Sequence, residues 1–306
     1  MHKRITVPAL VILLGALPHG IVATQVPRPA PPRTSATSVR PSPDAIVPFK
    51  IHVSDEVLRD LKERLARTRF PDEISGSGWD YGTDLAYLKE LVAYWRDKFD
   101  WREQERRLNQ FEQFKTNIDG LDIHFIHRRS KQANPMPLLM SHGWPGSFFE
   151  FSKAIGPLTD PLAHGGRAQD AFDVVAVSIP GYGFSDRPHE RGFNAERMAG
   201  LLAKLMARLG YSRYGAQGGD VGAGVSRMLA LNDASHMAGL HLNFCTAGPP
   251  PGVGDPNAGV PAAELELMRA RQAYFNDDER GYMQIQGTKP QTLGYSLNDS
   301  PAGLAA

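Results

Sequence analysis

YGAQGGDVGAG, residues 214–224, reads as a short strand that runs into a glycine-rich turn and out into a helix. Gly218, Asp220 and Gly222 have the spacing of a G-x-S-x-G elbow, where small residues let a strained turn push the middle side chain above a sheet. Here an aspartate takes the middle place. An alcohol at that corner suits acyl transfer, whereas a carboxylate, with a reference pKa of about 4, is ionised at neutral pH without help. Such a group can displace a leaving group at saturated carbon and become an ester of the protein. A plainer reading makes Asp220 the cap of the following helix. The string alone leaves both open.

Around the elbow, PLLMSHGWPGS (137–147), FDVVAVSIPGYGFS (172–185) and AGLHLNFC (238–245) each set an apolar run against a turn, with the amphipathic stretch ERMAGLLAKLMARLG (196–210) between them. That alternation predicts an α/β fold with a mostly parallel sheet. Upstream, SDEVLRDLKERLART (54–68) reads as a helix capped by Ser54 with Val57, Leu58, Leu61 and Leu65 on one face, ended by RFPDE. TDLAYLKELVAYWRDKF (83–99) is a second helix, and KTNIDGLDIHFIHRR (115–129) a hairpin turning at Asp119 and Gly120. Helices are thus expected ahead of the sheet.

The 306 residues carry 34 basic and 33 acidic side chains without a block of like charge, which gives no pointer to nucleic acid. The lone Cys245 excludes an internal disulfide, and no metal-ligand spacing or cofactor motif is visible. MHKR, the apolar run VPALVILLGAL and GIVAT make residues 1–24 a secretory signal, with an uncleaved N-terminal anchor as the minority reading. Export to the periplasm or medium is the expectation, and no later segment is expected to span a membrane. Residues 25–47, rich in Pro, Ser and Arg, read as a linker.

Before the elbow stands HGWPGS (142–147), a turn at a strand end that can aim a backbone N–H at a developing oxyanion. Trp144 and Val221 are the natural donors. HGWPGS, IPGYGFSD (179–186), GGDVGA (218–223) and GYMQIQGTKPQTLGYSLNDSP (281–301), in that order, resemble the microsomal-type epoxide hydrolases of the α/β-hydrolase superfamily. RTRFPDE, GWDYGTDLAYLKELVAYWRDKFDWR and FKTNIDGLDIHFIH are similar to that branch's helical N-terminal region. The resemblance implies a helical region over 48–112, an α/β-hydrolase core over 113–249 and a partial lid returning to the core over 250–306.

It also implies roles. Asp220 is the nucleophile that opens a small apolar epoxide, and water then releases a vicinal diol, a detoxifying reaction needing no cofactor. His142, Gly143, Trp144 and Pro145 form the oxyanion-hole motif, and Tyr282 is one of two lid tyrosines that protonate the epoxide oxygen. Val221 stands where the family commonly has an aromatic residue. The histidine and acid that activate water, the second lid tyrosine and the last strands lie beyond NDSPAGLAA in the family, so the chain reads as C-terminally truncated with an incomplete sheet. His164, His189, His236 and His241 are expected to be packing or surface residues. Two rival classes use the same elbow: a haloalkane dehalogenase and a non-catalytic ligand-binding relative. A serine hydrolase is excluded by the lack of any G-x-S-x-G.

Overall fold

A computed structural model of the protein describes residues 42, 44–245, 252 and 254–306. The signal sequence and most of the linker therefore lie outside the described residues. The chain opens with a short strand, β1 (Val47–Phe49), and three helices follow: α1 (Asp55–Ala66), α2 (Leu85–Asp97) and α3 (Trp101–Leu108). Ser54 Oγ accepts the Val57 N–H at 3.4 Å and Asp84 the Tyr87 N–H at 2.7 Å, so both long helices start on side-chain caps. Leu65 packs with Leu88 and Val92, but Val57 is exposed; the inward stripe of α1 is narrower than its apolar residues suggest. The helices are also not the first element, because β1 joins the sheet by pairing with β2.

β2 (Gln113–Ile118) and β3 (Leu121–Arg128) form the hairpin, and Asp119 and Gly120 take φ values of 53° and 84°. Positive φ at both central residues is the tight-turn geometry that matches strand twist. Next come β4 (Met136–Ser141), α4 (Ile155–Thr159), β5 (Phe172–Val177), α5 (Ala195–Arg208), β6 (Tyr214–Gly218), α6 (Val221–Asn232) and β7 (Met237–Leu242). The strand order is β1-β2-β3-β5-β4-β6-β7. β5, β4, β6 and β7 are parallel, and β3, β2 and β1 extend them antiparallel.

Each sheet face is covered. On one, Leu139, Val175, Val177, Tyr214 and Ala216 pack with Leu202 and Leu205 of α5 and Val225 and Leu229 of α6. On the other, Ile126, Met140, Val174 and Ala176 meet Phe148, Phe151 and Ile155. Burial on both faces is why β5 reads as a continuous apolar run. Last come α7 (Ala262–Tyr274), continued by a wider π turn, then α8 (Gly281–Thr288), α9 (Pro290–Asp299) and α10 (Pro301–Ala305). Ala302 closes the chain back onto Leu65, Leu88 and Val92, and Arg64 donates to the carbonyls of Asn298 and Asp299 at 3.4 and 3.2 Å. Among the described residues no helix is long and apolar enough to cross a membrane.

Candidate active site

The parallel strands β4, β6 and β7 end on one side of the sheet, and the turns leaving them line a cleft of about 410 Å³. β4 sends out Gly143, Trp144, Pro145, Gly146 and Glu150; β6 sends out Gly219 and Asp220; β7 sends out Asn243 and Phe244. Carboxyl ends of parallel strands are where α/β sheets place ligands, since loops there converge without obstructing the strands.

Asp220 occupies the junction of β6 and α6 with φ 50° and ψ −121°, a conformation costly for a residue with a Cβ. It does not cap α6. Its Oδ1 instead accepts the backbone N–H of Trp144 at 3.0 Å, which removes the plainer reading of the string. Small neighbours are needed for this approach. A methyl on Gly222 would overlap the Ser141 carbonyl and stand 2.6 Å from that of His142, and one on Gly143 would lie 2.8 Å from Asp220 Cγ. Gly218 faces the same crowding, against the Gly222 carbonyl.

Val221 is the first residue of α6, so its N–H has no carbonyl a turn earlier to bond and points out of the helix start. The helix N-terminus carries partial positive charge beside the Asp220 carboxylate. His142 is fully buried: its Nδ1–H donates to the Gly143 carbonyl at 3.1 Å, and Nε2 accepts the Ile179 N–H at 3.3 Å. Burial holds its pKa below the ordinary histidine range, with the Gly143 bond opposing. His142 is thus a neutral strut that ties the HGWP turn to the end of β5. Pro145 follows a cis peptide bond at the cleft rim.

Tyr282, on α8, stacks its ring on that of Trp144 with centroids 5.9 Å apart and planes 21° apart. Trp144 therefore makes two contacts, its backbone N–H with Asp220 and its indole with Tyr282. Three further groups were not singled out from the sequence. Tyr182, within IPGYGFSD, places its ring edge on His142 at 5.3 Å, and burial followed by the Asp220 charge pushes its pKa up. Asn243 packs its side chain against Gly219, and Glu150 shares the cleft with Asp220. The motif IPGYGFSD carried a signal for the first; for the other two only the fold supplies one.

The remaining histidines lie elsewhere. His236 Nδ1 is 2.6 Å from Asp233 at the far end of α6, and His241 is exposed on β7 opposite Gln217. Among the described residues no group of three His, Cys, Asp or Glu is placed to hold a metal ion.

A carboxylate at the carboxyl end of a parallel strand, held by an N–H from the neighbouring turn, sits where α/β-hydrolase folds place their sites. Residues 136–275 match the family model described as the alpha/beta hydrolase fold, and residues 46–151 match that of the epoxide hydrolase N terminus. The chain is 44% identical over 279 residues to epoxide hydrolase 1 of Oryctolagus cuniculus, covering 86% of this chain and 61% of that protein. It is 37% identical over 318 residues to juvenile hormone epoxide hydrolase 2 of Ctenocephalides felis, covering 99% and 68%. The solved Aspergillus niger epoxide hydrolase superposes with a TM-score of 0.75 at 34% identity, covering 86% of this chain and 68% of that one. The chain belongs to the epoxide hydrolase family. It spans 61% and 68% of the length of the two curated relatives named.

Proposed function

We propose that the chain carries the nucleophilic half of an epoxide hydrolase acting on a small apolar epoxide. The observation that carries this reading is the Trp144 N–H on Asp220 Oδ1. It occupies one carboxylate oxygen and leaves Oδ2 to attack. Oδ2 bonds to a ring carbon, the ring C–O bond breaks, and its electron pair goes to the epoxide oxygen. The Tyr282 phenol, with a reference pKa near 10, supplies the proton that oxygen takes up. The product is a hydroxyalkyl ester of Asp220.

Water then adds to Cγ of that ester. The negative charge develops on Oδ1, which already faces Trp144 N–H, and Val221 N–H at the start of α6 is the second donor. Collapse breaks the bond from Cγ to the alkyl oxygen, releasing the diol and restoring the carboxylate. A base must take a proton from the water, and no histidine lines the cleft among the described residues. Ester formation is accordingly the step that the described residues support best.

Incubation with styrene oxide, followed by intact-protein mass spectrometry, is the test. A mass increment on the peptide containing Asp220 that is lost in Asp220→Ala is expected; ligand binding without an increment in the parent chain overturns the reading, and halide release from a haloalkane would favour the dehalogenase class. On the strength of MHKR and VPALVILLGAL we also place the protein outside the cytoplasm. Sequencing the mature N-terminus checks this, and an intact Met1 in a cytosolic pool refutes it.

A further inference from the structure

Glu150 shares the cleft with Asp220, yet neither chemical step above uses it. Ser147-Phe148-Phe149-Glu150 has the pattern in which a serine takes a main-chain N–H at the start of a turn and a glutamate three places on reaches back to the serine's own N–H. Ser147 Oγ accepts the Phe149 N–H at 3.2 Å, and the Ser147 N–H lies close enough to the Glu150 carboxyl to favour its charged form. The carboxyl also rests on Gly146, where an added methyl would overlap Oε1 and stand 2.7 Å from Cδ. Three residues earlier the same segment rests on Asp220 through Gly143. Residues 143–146, which carry the Trp144 N–H, are therefore gripped by Asp220 at one end and by Glu150 at the other.

The grip has an electrostatic cost that a capping residue elsewhere on the surface would not meet. Burial, and then the negative charge of Asp220, push the Glu150 pKa above the ordinary carboxylate range, while the Ser147 N–H pulls it back. A carboxyl retained beside an anionic nucleophile points to a role at that nucleophile. We propose that Glu150 is a positioning residue that clasps the HGWPG turn and holds the Trp144 N–H on Asp220 Oδ1. Its part in the chemistry rests on the reading of Asp220 as the nucleophile.

A double-mutant cycle tests the clasp with two readouts: hydrogen exchange at the Trp144 amide, and the rate of Asp220 alkylation by styrene oxide. Glu150→Ala removes the carboxyl, and Gly146→Ala displaces it by filling its place. Each should speed Trp144 exchange and slow alkylation roughly 10-fold to 100-fold, the scale of a misplaced catalytic geometry. Because both break one contact, the double variant should be no worse than either single one. Glu150→Gln, which keeps an acceptor oxygen of the same reach, should recover most of the rate. Unchanged exchange and alkylation in Glu150→Ala, or single effects that multiply in the double variant, overturn the proposal. If the exchange results come out as expected while the parent chain forms no adduct, the nucleophile reading fails and the clasp stands. If Glu150→Ala exchanges faster throughout the chain, Gly146→Ala must release the Trp144 amide and Glu150→Gln must keep it protected.

Discussion

Helix α6 has an aspartate at each end, and the two have opposite fates. Asp220 stands at the helix start with a positive φ, its Oδ1 held by one backbone N–H and the cleft before it. Asp233 stands at the helix end, where the dipole disfavours an anion. It is steadied there by the Tyr214 hydroxyl at 2.6 Å and by His236 at 2.6 Å, and the Tyr214 phenol is pushed up in pKa by burial and by that bond. By composition, the pair of Asp233 with His236 looks more like a catalytic couple than Asp220 does alone. It lies at the start of β6, a strand's length from the cleft. What distinguishes a site from a strut is the end of the strand on which a carboxylate stands and whether a polar partner already satisfies it.

Asp220→Ala should abolish the covalent adduct outright, whereas Asp233→Ala should leave alkylation in place and reduce stability by about 1–3 kcal/mol through the orphaned Tyr214 hydroxyl. Mass spectrometry and denaturant unfolding separate the two effects, and loss of the adduct in Asp233→Ala would erase the contrast. Tyr282→Phe keeps the ring stacked on Trp144 but removes the phenol proposed as the proton donor. It should slow alkylation by about 100-fold to 10,000-fold, with single-turnover kinetics as the readout. Gly222→Ala forces a methyl against the Ser141 carbonyl and should destabilise the fold by about 1–3 kcal/mol, visible as a lowered unfolding midpoint.

A further effect, spread over several pH units, concerns acid stability. His124 is buried between Ser178 Oγ and Gln113 Oε1, each at 2.9 Å, and burial lowers its pKa from 6.5 to about 3. Unfolding lets it take up a proton between these values. Stability should therefore fall as pH drops from about 6.5 toward 3, by at most about 1.4 kcal/mol per pH unit for this group. Denaturant unfolding across that range should show a shallower slope in His124→Gln.

Local rules were enough to place the Ser54-capped helix, the Asp119–Gly120 turn and the run of strands and helices around the elbow, because each rests on neighbours in the chain. β1 escaped notice because three residues have too little periodicity to register; only pairing with β2 makes them a strand. The exposure of Val57 likewise depends on which side of α1 meets α2. In the site, the spacing of Gly218, Asp220 and Gly222 was legible, and so was the pairing of HGWP with the elbow.

By itself, then, the sequence determined the residue types and their order: a carboxylate at a strand-to-helix corner, glycines where the backbone must pack closely, and a serine and glutamate three apart. Tertiary structure alone decided that Asp220 faces Trp144 rather than capping its own helix, that the Trp144 ring receives Tyr282, and that Glu150 comes to share a cleft with Asp220. The physical reason is separation along the chain. Trp144 meets Asp220 because parallel strands end together, and it meets Tyr282 through a helix more than 130 residues further along the chain; no local preference for turn or helix encodes either meeting.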